Sequence, residues 1–450
     1  MAKRLIGGDS AAPAEAKLAV IPRKQHGISR DDISENALKV LYRLHKGGFE
    51  AYLVGGGVRD LLLRHQPKDF DIATNATPEQ VRRLFRNCRL VGRRFRLAHI
   101  LFGRDIIEVA TLRGHHQETG KHAKQDDSGR LLRDNVYGTI DEDAERRDFT
   151  VNGLYYDISD FSVRDYFGGM EDLKARRLRL IGDPATRYRE DPVRMIRAVR
   201  FATKLDFTID KSAAKPIPAM ANLLNTIPPA RLFEETLKLL MSGKGLDNFR
   251  MMRELGLWGP MFPMQEKQLA RSPEGKELRL IEAMLKNTDD RVNADMPVTP
   301  AFLYAALLWY VVEEKAEAKC QRGIAPFDAL TAACGEAISS QCKTVSLPRR
   351  FTTPAQEIWQ LQGRLDKRSG ARAFRLMEHP RFRAAYDFLL LRAEAEQDQE
   401  LLELSRWWTR FQECDEQAQR QMVRALGGDG RRRRKPRRRK PRSDSGKSDD

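Results

Sequence analysis

Residues 53–72 constrain this chain more tightly than any other stretch. Leu53-Val54 reads as the end of an apolar strand, Gly55-Gly56-Gly57 as a tight turn and Val58-Arg59-Asp60 as the start of a helix. Lys68-Asp69-Phe70-Asp71-Ile72 then reads as a second strand carrying alternating acids. In an extended strand residues i and i+2 share a face, so Asp69 and Asp71 point together while Phe70 and Ile72 point into a core. Two adjacent carboxylates repel one another, and the arrangement is tolerated when divalent cations lie between them. Successive glycines let the backbone approach a phosphate closely, and a helix start favours anions. No Gly-Lys-Ser/Thr follows, so this is not a Walker A loop. Taken alone, an Asp-x-Asp pair also suits a solvated strand face; the glycine turn beside it shifts the reading to a metal-dependent phosphate site.

The segments around this core fall into two styles. Strand signals cover residues 51–54, 70–74, 96–102, 105–111, 149–156 and 163–167, with a helix over 78–85 and another over 33–44. A polar Gly/Asp/Lys/His stretch, residues 114–129, has little to bury and predicts a mobile loop. Beyond Arg187 helical periodicity takes over, in 193–205, 230–241, 246–255, 300–316, 371–377 and 382–402. The expected division is a flexible segment 1–30, a mixed α/β domain 31–175, a helical neck 176–255, a helical body 256–425 and a tail 426–450.

Charge identifies the class of partner. The 450-residue chain carries a net +17 with 41% hydrophobic residues, enough apolar content for folded domains and enough cation to imply a polyanion, most commonly nucleic acid. Residues 430–450 hold eleven Lys/Arg against three Asp, about half of that excess. The cations run as Arg431, Arg432, Arg433, Arg434, Lys435, Arg437, Arg438, Arg439 and Lys440, a stretch that cannot fold alone and reads as a disordered RNA-binding arm. Five cysteines with no C-x-x-C pair indicate neither a disulfide framework nor a zinc site, which fits a reducing cytoplasm. Met1 is followed by no hydrophobic leader region, and the longest apolar stretch, near residues 302–312, is too short to span a bilayer.

Gly55 to Asp60 with Asp69-Phe70-Asp71 resembles the signature of the class II nucleotidyltransferases, the polymerase-β-like superfamily of bacterial poly(A) polymerases and CCA-adding enzymes. Two further blocks match. Arg146-Arg147-Asp148-Phe149-Thr150-Val151-Asn152 is similar to the family's Arg-Arg-Asp-Phe-Thr-x-Asn motif, and Glu190-Asp191-Pro192-Val193-Arg194 to its Glu-Asp-x-x-Arg helix. The resemblance implies an α+β chain: a polymerase-β-like head with a mixed sheet, an all-helical C-terminal region and a disordered basic tail. It also implies two Mg²⁺ ions, with Mn²⁺ able to stand in, held by Asp69, Asp71 and a third carboxylate, Asp148. Glu108, an acid in mid-strand, rivals Asp148 for that place. Gly55, Gly56 and Arg59 would cradle the triphosphate, Arg147 and Asn152 would contact phosphate or ribose, and Asp191 with Arg194 would read the base. Independently of the resemblance, Asp191 before Pro192 is a good helix N-cap.

These blocks do not separate poly(A) from CCA addition. The stretch Leu90 to Ile100, with Gly92-Arg93-Arg94-Phe95-Arg96-Leu97-Ala98-His99, is similar to the segment that marks bacterial poly(A) polymerases. It implies ATP as substrate and template-independent addition of AMP to RNA 3′ ends, with mRNA polyadenylation and RNA-turnover proteins as its setting. From physics alone, Arg93, Arg94 and Arg96 only add positive charge beside the sheet. The alternatives are a CCA-adding tRNA nucleotidyltransferase and, from another class, a non-catalytic RNA-binding protein; intact acids in every block argue against the latter.

Overall fold

The computed structural model describes residues 17–92, 96–114 and 136–426. Arg93 and Arg94, most of the polar 114–129 stretch, and the cations Arg431 to Lys440 lie outside the described residues. The chain divides into two compact units. One holds the residues up to Lys267 with Leu285–Pro297 and Ser340–Ser346, and the other holds the rest.

The first unit is built on a mixed sheet. Among the described residues its strands are β1 (Ala19–Ile21), β2 (Ala51–Val54), β3 (Asp71–Thr74), β4 (Cys88–Val91), β5 (Leu97–Phe102), β6 (Asp105–Thr111), β7 (Leu154–Asp157) and β8 (Val163–Asp165). They lie in the order β1-β8-β7-β2-β3-β6-β5-β4, and only β3 and β6 pair in parallel. That parallel step uses the β4–β5 segment and the helix Pro78–Leu84 as its crossover, as parallel neighbours require. β2 is buried at all four positions, consistent with its central place.

Each face of the sheet has its own cover. The helix Glu35–Lys46 buries Ala37, Val40, Leu41 and Leu44, an apolar stripe at helical spacing, and packs on β2, β3 and β6. Tyr52, Val54, Ala73 and Tyr155, which share a sheet face by their register, instead pack with Ile140, Ala144, Tyr166, Phe167 and Ile181. β5 and β6 form a hairpin in which Phe102 faces Asp105, leaving a two-residue turn, Gly103-Arg104. Gly103 has φ of +63°, the conformation that a tight two-residue turn asks of its first residue and that glycine adopts without strain.

After β8 the first unit becomes mainly helical, with Pro184–Glu190, Val193–Leu205, Pro229–Leu240 and Gly245–Glu254, and a two-residue parallel ladder joins Arg177–Leu178 to Thr208–Ile209. The second unit is helical throughout its described residues, including Pro300–Cys320, Arg349–Leu365 and Phe382–Glu396. Its core gathers Leu361, Leu365, Phe382, Tyr386, Leu389, Leu404, Trp408 and Phe411, and the Trp408 indole donates to Leu365 O at 3.0 Å. No helix of the described residues is long and apolar enough to cross a membrane.

Three local expectations are corrected. Residues 149–152 do not start a strand: Thr150–Asn152 is a 3₁₀ turn, because Asp148 accepts from the Phe149 N–H and Thr150 Oγ1 donates to buried Asp172, and β7 begins only after Gly153. The single helix expected over 382–402 is two, Phe382–Glu396 and Gln399–Glu413. Gln397 takes a left-handed conformation and Asp398 caps the second helix by accepting from Leu401 N–H. The segment 1–30 contributes an edge strand, β1, paired with β8, and Cys88–Val91 adds β4. At three and four residues both are too short to announce themselves by alternation.

Candidate functional site

The acidic strand begins where the glycine turn ends its neighbour. Val54 pairs with Asp71, and Gly55 then leaves the ladder with φ +64° and ψ −129°, a region that only glycine occupies freely. Phe70 and Asp69 therefore have no partner on β2, and the ladder starts at Asp71 rather than at residue 70. The alternation still runs through: Phe70 and Ile72 are buried, while Asp69 and Asp71 are exposed. Gly57 sits against the Asp69 backbone, where an added Cβ would meet Asp69 O at 3.4 Å.

One row of residues crosses the sheet at this level. Tyr155 faces Val54, Val54 faces Asp71, Asp71 faces Glu108, Glu108 faces His99 and His99 faces Arg89. Residues in register share a face, so Asp71 and Glu108 stand side by side on adjacent strands. Although the residue as a whole is exposed, desolvation by the protein atoms around its carboxyl pushes Asp71 up to about 6, with the Glu108 and Asp69 charges adding to the rise and Arg147 opposing it. His99 Nε2 lies 3.4 Å from Glu108 Oε2. Arg96, the described cation of the basic stretch, is paired with Glu79 at 2.7 Å.

The Arg-Arg-Asp block is wired into the interior. Arg147 donates from Nε and Nη2 to Asp143, at 3.1 and 2.9 Å, and from Nε to the Tyr155 hydroxyl at 3.2 Å. Its Nη1 is the atom that a Cβ on Gly55 would approach, at 3.7 Å, so this guanidinium borders the glycine turn. Burial alone would raise Asp143, but Arg147 and the Tyr155 hydroxyl outweigh it and hold the carboxyl below its ordinary value. Asp148 sits at the end of a continuous polar chain. Arg59 donates to Asp60 at 2.8 Å and to Asn152 Oδ1 at 2.6 Å; Asn152 Nδ2 donates to Asp148 Oδ1 at 3.1 Å, and Arg197 Nε donates to Asp148 Oδ2 at 2.7 Å. Burial would raise Asp148, yet Arg197, Asn152 and the Phe149 N–H together lower it. The guanidinium carbons of Arg59 and Arg197 lie 5.4 and 5.0 Å from the centroid of the Phe201 ring. Arg59 is only 2% exposed, so it braces the turn from behind.

The third block forms the junction of two helices. Asp191 ends Pro184–Glu190 and accepts from Val193 N–H at 3.2 Å and from Arg231 Nη2 at 2.7 Å. Arg194 Nη1 donates to Glu190 Oε2 and to Arg187 O, both at 2.8 Å. Arg187 in turn donates to the carbonyls of Arg146 and Arg147, at 3.0 and 2.7 Å, tying this junction to the Arg-Arg-Asp block. Sequence reasoning did not single out Arg197, Arg231, Asp143 or Tyr155. The repeated arginines at residues 194, 197 and 200 were the available signal for Arg197.

The structure thus brings Gly55, Asp69, Asp71, Glu108 and Arg147 around one turn, and it places Arg59, Asn152 and Asp148 in the packing behind it. Oxygen donors of this kind suit a hard divalent cation, and the Asp71 carboxyl, raised first by desolvation and then by the Glu108 and Asp69 charges, is one whose ionised form such a cation would favour. Among the described residues no three His, Cys, Asp or Glu side chains are placed so that they could hold a metal ion as they stand.

Carboxylates beside a glycine turn are the equipment of nucleotidyl transfer, and the fold agrees with this chemistry. A Bacillus stearothermophilus CCA-adding enzyme in complex with CTP superposes with a TM-score of 0.57 at 25% identity, covering 83% of this chain and 80% of that one. A tRNA nucleotidyltransferase complexed with a primer tRNA and an incoming ATP analog has the same fold, with a TM-score of 0.55 at 21% identity, covering 83% of this chain and 98% of that one. Fold and site define a class II nucleotidyltransferase. Within that class, poly(A) polymerase I of Salmonella typhimurium is 55% identical over 433 residues, covering 95% of this chain and 93% of that protein, and poly(A) polymerase I of Haemophilus influenzae is 50% identical over 408 residues, covering 90% of each. A CCA-adding enzyme of Lactobacillus helveticus is 39% identical over 208 residues, covering 46% of this chain and 50% of that protein. Residues 51–179 match the poly A polymerase head domain, 206–269 the "probable RNA and SrmB- binding site of polymerase A", and 322–443 the polymerase A arginine-rich C-terminus. The chain belongs to the poly(A) polymerase I family.

Proposed function

We propose that this chain adds AMP from ATP to RNA 3′ ends without a template and releases pyrophosphate. The observation that carries the chemistry is the register Val54–Asp71–Glu108, which sets two carboxylates beside the glycine turn, with Asp69 next to them. Family membership carries the adenine.

Asp69, Asp71 and Glu108 would hold a divalent cation, Mg²⁺ or Mn²⁺, which when bound supplies Lewis acidity to the phosphate oxygens of ATP. Glu108 takes the third place because it is Asp71's register partner on the adjacent strand, whereas Asp148 is tied to Asn152 and Arg197 and stands on neither β3 nor β6. Gly55 and Gly56 would cradle the triphosphate: Gly55 keeps the turn free of a side chain beside Arg147 Nη1, which borders it with positive charge, while a Cβ on Gly56 would meet Arg59 Nη2 at 3.5 Å. Arg59, Asn152 and Asp148 position that turn rather than grip the nucleotide. Asp191 and Arg194 read the base: adenine offers an N6 donor and an N1 acceptor, matching a carboxylate and a guanidinium already fixed by Arg231 and Glu190. The Arg431–Lys440 tail would contact the RNA backbone, and family membership extends the reading to cytoplasmic polyadenylation that feeds RNA turnover.

The test is to incubate the purified chain with oligo(A), or with a tRNA lacking its terminal residues, and one nucleoside triphosphate at a time. Long homopolymer from ATP alone is the expected product; addition that stops after C, C and A overturns the reading in favour of CCA synthesis. Removing residues 430–450 should weaken RNA binding and flatten its dependence on salt, because fewer cations on the phosphates release fewer counterions. Affinity measured from 50 to 300 mM KCl checks this, and an unchanged slope would exclude the tail as an RNA-binding element.

A further inference from the structure

We propose that His99 is a positioning residue for this reaction, holding the Glu108 carboxylate beside Asp71 so that it is available to the cation. The inference rests on the reading above, in which Asp69, Asp71 and Glu108 hold that cation.

Glu108 has two register neighbours and they act in opposite senses. On one side is Asp71, a carboxylate that repels it. On the other is His99, whose Nε2 lies 3.4 Å from Glu108 Oε2. The Glu108 side chain is 41% exposed, so without an anchor it is free to swing away from Asp71 into solvent. His99 is the better fixed of the two, with a side chain 25% exposed on a strand whose neighbours Ala98 and Ile100 are buried. Beyond His99 the row ends at Arg89, an exposed cation on the edge strand β4. An imidazole that anchors a ligating carboxylate lowers the cost of assembling the site, and losing such an outer-shell partner typically weakens metal affinity by about 10- to 100-fold. His99 is also the final polar residue of the Gly92–His99 stretch, whose cations had no evident physical task. Its task is at the acidic row.

The experiment uses the full chain and Mn²⁺ alone, with free Mn²⁺ measured by electron paramagnetic resonance and no nucleotide present. His99→Ala should weaken Mn²⁺ binding about tenfold. It should raise the Mn²⁺ concentration for half-maximal AMP addition by the same factor, with kcat at saturating metal nearly unchanged. His99→Gln, which can still donate to a carboxylate, should recover most of the affinity. In a Glu108→Gln background the His99→Ala change should add nothing. Wild-type Mn²⁺ affinity in both His99 variants, with Glu108→Gln weakened, overturns the positioning role and leaves the site intact. Undiminished affinity in Glu108→Gln itself overturns the assignment of Glu108, and the role of His99 with it. Additive losses in the double variant place the action of His99 elsewhere and also overturn it.

Discussion

Asp71→Ala yields a folded chain that extends RNA at least about 10³-fold more slowly than the parent, a loss of roughly 4 kcal/mol of transition-state stabilisation. Asp71 is exposed and is crowded by Glu108 and Asp69, so its removal relieves repulsion at the head of the strand. Thermal unfolding in the presence of chelator should therefore show no drop in Tm, while single-nucleotide extension of a saturating primer collapses. A variant that elongates RNA at a near-native rate would remove Asp71 from the chemistry. Asp69→Ala should behave in the same way.

Asp148→Ala should instead act on stability. The change removes the acceptor of Arg197 and of the Asn152 amide, and because this ion pair is only partly buried its loss from one side costs roughly 1–3 kcal/mol rather than the full cost of a buried pair. The melting transition that involves the sheet should fall by several degrees, while the folded protein keeps Mn²⁺ affinity close to the parent's. The opposite pattern, native melting with abolished Mn²⁺ binding, would return Asp148 to the cation. The pH dependence has a definite sign. Asp148's folded pKa lies below its ordinary value, so its contribution is present above about pH 4 and is lost as pH falls through the folded value. The gap in Tm between the parent and Asp148→Asn should accordingly be full at neutral pH and narrow on acidification below about pH 4.

The contrast between these aspartates shows what the sequence makes legible. Asp69 and Asp71 sit in a local pattern, and local periodicity is enough to predict that Phe70 and Ile72 are buried while the acids are not. Gly55 is equally local: its turn ends β2 and sets where the acidic ladder starts. Asp148 is not local. Its partner Arg197 is 49 residues away, one of several arginines at helical spacing, and nothing in the chain before folding says which of them reaches it. The same holds for Glu108, whose place beside Asp71 depends on β3 and β6 pairing in parallel across an intervening hairpin. Periodicity finds both strands and is silent about which pair. The break at Gln397 and Asp398 was readable in principle, since residues 396–400 carry no apolar side chain and Asp398 before Gln-Glu-Leu-Leu is an N-cap pattern.

The two-residue turn Gly103-Arg104 has a consequence for how this family can vary. Because Phe102 faces Asp105 across it, the turn fixes which residue of β5 meets Glu108. A one-residue insertion there that shifts the pairing by one carries either His99 or Glu108 to the opposite face of the sheet, with every residue of the row still present in the gene. A single-codon insertion or deletion that shifts the register thus breaks the row at once, whereas a substitution acts only at its own position, so length polymorphism among functional relatives should be rare at this turn.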